Sequence, residues 1–421
     1  MNRIFFICVF LPWGCEDDTL LTTVMDKDGV VVAKPFLWKT NIGDDDYKGS
    51  LISNEFISYD GNMLVGGWKD GEPVIYAVDQ ESGSIEWAWK DFFDPEWEIW
   101  FDGFYQHDNL LFHHAGSRGY CIDLTNGRTV WKNRYGLPST HVSAGLGNVY
   151  FIAVSSRYPN GFHYEVDVYM GDLLAGPDRK KVLTPNYERR EVALNQHGLV
   201  GNICSIIPYL EGSDTVLLIN YADLWYEGRD FVGTDYLGAY NLTQGKWLYE
   251  KKPSCHRSAL HNGRLYSATG GLILCHDMET GGIIWEASFP HGFGSPFLIV
   301  EEEGKLLTNC EDTYLYALDL HTGAQEYKVK SSGTCGAMSY LNGIVYYVGG
   351  GDGLLHAVEV STGRHLWKIK SPDVDKYSGA FFLPQALGAF PGGSDGRGPA
   401  NGQGWVVLST TLNTYAYQAA R

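Results

Sequence analysis

The chain has 421 residues, of which 50 are acidic and 32 basic, for a formal net charge of -18. That balance excludes a nucleic-acid surface, which needs clustered Lys and Arg, and broad adhesion to anionic lipid. Aromatics at 14% and 51 glycines suit many short strands and turns, and a closed repeat array can spend this length on one domain.

The N-terminus reads as an export signal over residues 1–14: Met1-Asn2-Arg3, an apolar run from Ile4 to Leu11, then Trp13-Gly14-Cys15. The run is short of the ~20 residues a membrane-spanning helix needs. Gly14 before Cys15 predicts cleavage and lipidation at Cys15. Glu16-Asp17-Asp18 opens a lipidated acidic linker over 15–34, which resembles the acidic export tag of Bacteroidetes surface lipoproteins.

From residue 35 onward one spacing recurs: a small residue, an acid or Asn two on, Gly six on, an aromatic ten on. The copies are Ala77/Asp79/Gly83/Trp87, Cys121/Asp123/Gly127/Trp131, the worn Met170/Asp172/Gly176/Lys180, Ala239/Asn241/Gly245/Tyr249, Cys275/Asp277/Gly281/Trp285, Ala317/Asp319/Gly323/Tyr327 and Ala357/Glu359/Gly363/Trp367. The run into the acid is β-branched or aromatic and reads as a strand. The Gly supplies the positive φ of a hairpin loop with a bulge, and the acid accepts turn N–H groups. The small residue leaves room for a large neighbour, and the ring fills it.

The seven glycines lie 44, 49, 69, 36, 42 and 40 residues apart, a period that points to a four-stranded propeller blade. Ala259-Leu-His-Asn262-Gly263-Arg-Leu-Tyr266 and Ser339-Tyr-Leu-Asn342-Gly343-Ile-Val-Tyr346 supply the first two strands of a blade, and Asp60-Gly61 and Glu303-Gly304 mark the same turn elsewhere. Phe36-Leu37-Trp38 reads as a final strand with nothing before it, while 405–410 and 413–417 read as inner strands lacking one. Their union predicts an all-β, eight-bladed propeller over 35–421, closed by pairing of the N- and C-terminal strands.

The spacing resembles the tryptophan-docking motif of quinoprotein (PQQ-like) propellers. That family includes quinoprotein alcohol and glucose dehydrogenases and non-catalytic envelope propellers such as the outer-membrane assembly lipoprotein BamB. The motif makes blade-to-blade packing and does not touch a cofactor. No two cysteines are adjacent, unlike the vicinal pair of the alcohol dehydrogenases, and no acid-Asn-acid calcium set maps onto the chain. No catalytic or metal-binding residue is assigned.

Cys121 and Cys275 replace the small residue of the repeat; they and the other internal cysteines read as buried packing groups rather than disulfides or metal ligands. Asp44-Asp45-Asp46 lacks the spacing of a calcium loop. Gly392-Gly-Ser394-Asp-Gly396 has the letters of a nucleophile elbow without the strand and helix that motif requires.

Ligands of a rigid propeller meet loops, and the longer links between blades share one face. The 69-residue interval, with its link from Leu183 to Asn202, and the final link from Ser371 to Gly404 hold the largest additions. The link from Phe92 to Asp108 carries Trp97 and Trp100, suited to sugars, flat ligands or a protein hot spot, or else to plugging gaps between blades. His141, His256, Arg257 and His291 fall at or near the starts of inner strands, on the same face. These six form the candidate binding surface.

The reading is a non-catalytic, lipid-anchored outer-membrane propeller, on the periplasmic or cell-surface side, binding an envelope protein or glycan and touching membrane only through its anchor. No cofactor is expected. The alternatives are an oxidoreductase holding PQQ or calcium, and a carbohydrate-capturing surface lipoprotein.

Overall fold

The computed structural model describes residues 24–26, 29–44, 57–94, 104–115, 117–134, 139–157, 163–186, 198–199, 201–227, 230–253, 257–269, 271–290, 297–333, 335–373, 382–383, 387–392 and 403–420. Eight sheets, each built on four antiparallel strands and two of them carrying added strands, form an eight-bladed β-propeller. Blade 1 runs through Ser58–Tyr59, Asn62–Lys69, Glu72–Asp79 and Ile85–Trp89, and blade 2 occupies 104–134. Blade 3 comprises Ser139–Gly145, Asn148–Arg157, His163–Asp172 and Gly176–Leu183; blade 4 comprises Gly201–Glu211, Asp214–Glu227, Asp230–Asn241 and Lys246–Lys251. Blades 5, 6 and 7 occupy 257–288, 297–330 and 335–369. First strands of neighbouring blades touch one another, as Ser139–Gly145 touches Gly201–Glu211 and Cys335–Leu341 touches Leu387–Phe390, which sets them around the axis.

Burial follows from that stacking. The third strand of a blade has a neighbour on both faces, so Leu315 to Leu318 in Tyr314–Asp319 are all buried and the strand reads as a continuous apolar run. The outermost strand keeps one side in water: Gln325–Lys330 alternates exposed and half-buried residues, and its charges blunt an open sheet edge. Among the described residues the only helical turn is Glu301–Glu303, and no helix is long and apolar enough to cross a membrane.

The repeat closes each hairpin as its letters predict. In blade 6 the Asp319 carboxylate accepts the Thr322 N–H and hydroxyl, each at 2.7 Å, and the His321 N–H at 3.1 Å. Gly323 sits at φ +70°, and the register slips by one residue between Ala317 and Leu318, the signature of a bulge. Hydrogen bonds from Thr322, then His321, hold the Asp319 carboxyl below its usual range.

Each docking ring then crosses to the next blade. Trp38, Trp87, Trp131 and Trp285 donate Nε1 to the carbonyls of Gln80, Leu124, Leu173 and Leu320 at 3.1, 3.2, 3.1 and 3.3 Å. The Tyr249 and Tyr327 hydroxyls do the same to Met278 and Val360 at 2.6 and 2.5 Å. The rings lie against Gly83, Gly127, Gly176, Gly281, Gly323 and Gly363, where a Cβ would meet a ring atom at 2.5 to 3.3 Å. Trp285 and Trp367 are buried, as expected of docking rings, whereas Trp87 and Trp131 are half-buried.

Closure uses both termini. Phe36–Asn41 pairs antiparallel with Asn413–Gln418, Trp38 opposite Ala416, and so completes blade 8 after Leu387–Phe390 and Trp405–Ser409. Among the described residues blade 8 shows no glycine turn for Trp367 to cover. Lys34 stands in: its Nζ lies 4.5 Å from the Trp367 ring centroid and donates to the Gln418 carbonyl at 2.7 Å. Burial pushes the Lys34 amine down to about 8. Ahead of it, in the stretch read as a linker, Val24–Asp26 and Gly29–Val31 form a hairpin whose second strand runs parallel to His365–Ile369, Val31 beside Lys368. The β-branched Val30-Val31-Val32 run suits that added strand.

Candidate partner-binding face

The short turns after first strands and the glycine turns after third strands share one face, the turn face. Links between blades and the hairpins joining second to third strands share the other, the link face. On the link face blades 3 and 4 rise above the rest. In blade 4 the second and third strands stay paired from Val216/Asn241 to Glu227/Asp230, where blade 5 ends at Thr269/Leu272. Gly198–Leu199 adds a short parallel strand beside His163 and Tyr164 of blade 3. The large interval in the sequence thus contains lengthened strands as well as a link.

His141 lies in the first strand of blade 3, opposite Ile152, and Arg257 opens the first strand of blade 5, opposite Ala268. Both stand at link-face ends of inner strands, on either side of blade 4. Trp97, Trp100, His256 and His291 lie outside the described residues, as does Cys15.

The bases of the links are held by acids, from exposed Asp91 to buried Asp373, that motif reading did not single out. At the start of the aromatic link, Asp94 Oδ2 takes Arg118 at 2.6 Å and Arg134 at 3.0 Å. Asp91 takes Lys132 at 2.5 Å and the Thr129 hydroxyl at 2.8 Å. Burial alone would raise the Asp91 carboxyl, but these partners bring it below its usual range. Between the two acids, Phe93 donates its N–H to the Tyr120 hydroxyl at 3.1 Å. Lys132 and Arg134 lie 4.9 and 4.8 Å from its ring. The link that carries Trp97 and Trp100 therefore leaves a rigid base. At the final link, buried Asp373 accepts Thr410 at 2.7 Å, Asn413 at 2.9 Å and Tyr415 at 2.7 Å.

Blade 7 brings together Ser332, Asp352 and His356, the letters of a hydrolase triad, in the wrong order. Ser332 donates to Asp352 at 3.0 Å, and His356 Nε2 meets the same carboxylate at 3.0 Å, so no base reaches the serine hydroxyl. Burial holds the His356 imidazole below its usual range despite Asp352. The set ties the second-to-third-strand turn to the link before it. Asp373 and Asp352 thus spend their oxygens on their own links, as Asp167 does on Lys181 at 2.9 Å and Thr184 at 2.7 Å. These carboxylates do not fit a calcium-quinone ligand set, which needs free oxygens aimed into one space. No common spacing betrays the acids, since each stands at a different distance from its docking ring.

A family model described as outer membrane protein assembly factor BamB matches residues 234–380, from the third strand of blade 4 to the link after blade 7. No curated protein matches the chain. BamB from Moraxella catarrhalis is similar in structure, with 12% identity over 91% of this chain and 100% of that one and a TM-score of 0.53. Quinohemoprotein alcohol dehydrogenase from Comamonas testosteroni has 11% identity over 92% of this chain and 77% of that one, with a TM-score of 0.59. A computationally designed protein has 12% identity over 90% and 99%, with a TM-score of 0.56. Likeness at such identity is one of fold, and the fold is that of a PQQ-like β-propeller.

Proposed function

We propose that the protein is a non-catalytic propeller scaffold of the cell envelope, lipid-anchored at Cys15 to the outer membrane, whose link face binds a protein partner in outer-membrane protein assembly. The observation that carries this reading is the match of residues 234–380 to the BamB family model. The link face supports it: blades 3 and 4 rise there on lengthened strands, and the aromatic link starts from a base fixed by Asp91 and Asp94. Glycan capture through Trp97 and Trp100 is a narrower use of the same face.

A photo-crosslinking side chain at Lys90 or Lys252, against a turn-face control at exposed Ser361 in the blade 7 turn, tests it in cells. The expected product joins the link face alone to an outer-membrane assembly protein, and Cys15→Ala releases the protein from the membrane fraction. Equal crosslinking from both faces, or a soluble wild type, overturns the reading. Titration with PQQ and calcium, read by absorbance and Tm, tests the oxidoreductase alternative separately.

A further inference from the structure

Six blade seams carry the same filled socket: an aromatic ring from one blade lies over the turn glycine of the next and donates to the carbonyl just after the turn acid. Blade 4 builds the same receptor. Gly245 sits at φ +67° and its N–H bonds the Asn241 carbonyl at 2.8 Å, as Gly281 bonds Asp277 and Gly323 bonds Asp319. Leu242 N–H bonds Thr215 at 2.9 Å, as Leu320 bonds Gly304 at 2.8 Å, so its carbonyl is aimed like the others. Asn241 Oδ1 accepts the Gln244 N–H at 2.8 Å, replacing the acid.

The ring alone is missing. Blade 3 offers Lys180 at the docking position, opposite Met170 as Trp131 is opposite Cys121. Lys180 is exposed, and the nearest described atom to a Cβ on Gly245 is the Tyr240 hydroxyl at 3.9 Å. No described donor reaches the Leu242 carbonyl. The two most exposed large apolar residues among those described, Leu174 at 62% and Leu210 at 58%, lie on the turn face of the two blades flanking this seam.

We propose that blade 4 holds an open socket for an aromatic side chain bearing an N–H or O–H donor, a tryptophan or tyrosine, supplied in trans by a protein partner. The six filled copies define the chemistry: a flat ring over Gly245, one hydrogen bond to the Leu242 carbonyl, and a wall from Tyr240. Exposed Lys180 and Lys246 flank the site and favour acidic residues beside the ring. The socket lies on the turn-face side and does not depend on the link-face reading.

The test uses the purified full chain and the peptide acetyl-Glu-(5-fluorotryptophan)-Glu-amide, read by fluorine NMR line width. Wild type is expected to broaden the line, and a fluorophenylalanine analogue without the donor to be broadened less. Lys180→Trp fills the socket in cis; it should abolish broadening, raise the Tm and bury the new indole as read by a blue-shifted emission. Gly245→Val should also abolish it, and because that variant strains the turn, the stabilised Lys180→Trp variant decides. No broadening by wild type, equal broadening by wild type and Lys180→Trp, or a Lys180→Trp variant no more stable than wild type overturns the proposal.

Discussion

Trp285 lies flat against Gly323 of the following blade: a Cβ on that glycine would stand 2.5 Å from Cε3 of the indole, and Gly323 holds φ +70°. Steric room and backbone conformation therefore demand glycine independently. Gly323→Val pays for both the positive φ and the displaced ring, so a loss of roughly 2 kcal/mol or more is expected. Trp285→Ala should cost about 3 to 5 kcal/mol, as for other large rings removed from a packed core. Urea unfolding monitored by far-UV circular dichroism measures both, and an unchanged midpoint for either variant would show that the seam does not rely on the latch.

The turn acids set the pH response. Asp277 and Asp319 have their carboxyls lowered, chiefly by hydrogen bonds from Thr280 and Thr322. A group whose pKa is depressed on folding stabilises above its unfolded value, ~3.9 for Asp, and loses that contribution as pH falls through the folded value. Stability should therefore decline below about pH 4. Blade 4 already uses Asn241 at this position, accepting Gln244 N–H without titrating. The Asp277→Asn/Asp319→Asn double variant should keep its turns, lose a little stability at pH 7 and show a smaller drop in Tm from pH 7 to pH 3. The same drop as wild type would assign the acid sensitivity elsewhere.

What the sequence shows and hides follows from the range of each interaction. The repeat is legible because its small residue, acid and glycine act within one hairpin, at fixed spacing. Even closure is legible, since Phe36-Leu37-Trp38 is a docking strand without a blade and Asn413–Gln418 a blade without a docking strand. Lys34 over Trp367 is not, because the contact joins opposite ends of the chain and a lysine carries no pattern. The interval between Gly176 and Gly245 shows that something is added. Its letters do not separate a link from strands such as Asp214–Glu227 that run past the blade. Of the candidate surface, His141 and Arg257 stand on inner strands because strand starts follow from the repeat count. Asp94 and Asp373 escape notice because their partners come from other strands at irregular distances.

Lys34 gives the closure seam its own alkaline signature. Its folded pKa is lowered to about 8 by burial, against ~10.4 unfolded. Between these values the unfolded chain binds more protons than the folded one, so this residue's contribution to stability rises with pH from about 8 to 10.4. Below that window the buried charge carries a desolvation cost, which the Trp367 ring and the Gln418 carbonyl offset only in part. The Tm difference between wild type and Lys34→Met should therefore move in favour of wild type as pH goes from 8 to 10. A pH-independent difference would mean that the amine is not buried at the seam. Deleting residues 35–42 removes the outer strand of blade 8 and should give an open, self-associating ring by light scattering.

Asp94 separates the anchoring of the aromatic link's base from the stability of the ring. Its carboxylate joins Arg118, on the third strand of blade 2, to Arg134, on the outermost, right where the link departs. The Arg134 side chain is 57% exposed and that of Asp94 35%. Solvent screening therefore holds each pair to about 0–1 kcal/mol, and Asp94→Ala should lower the Tm only slightly. The base of the link loses its anchor at Asp94, so limited proteolysis is expected to cleave between residues 94 and 104 several-fold faster. If the link is a partner contact, Trp97→Ala and Trp100→Ala should each weaken crosslinking from Lys90 with no change in Tm, by the roughly 2 kcal/mol that marks a hot spot. Asp94→Ala should weaken it less, since it loosens the contact without removing the rings. Normal crosslinking by both tryptophan variants would shift the partner surface to blades 3 and 4, where paired variants at His141 and Arg257 test the same face from its other side.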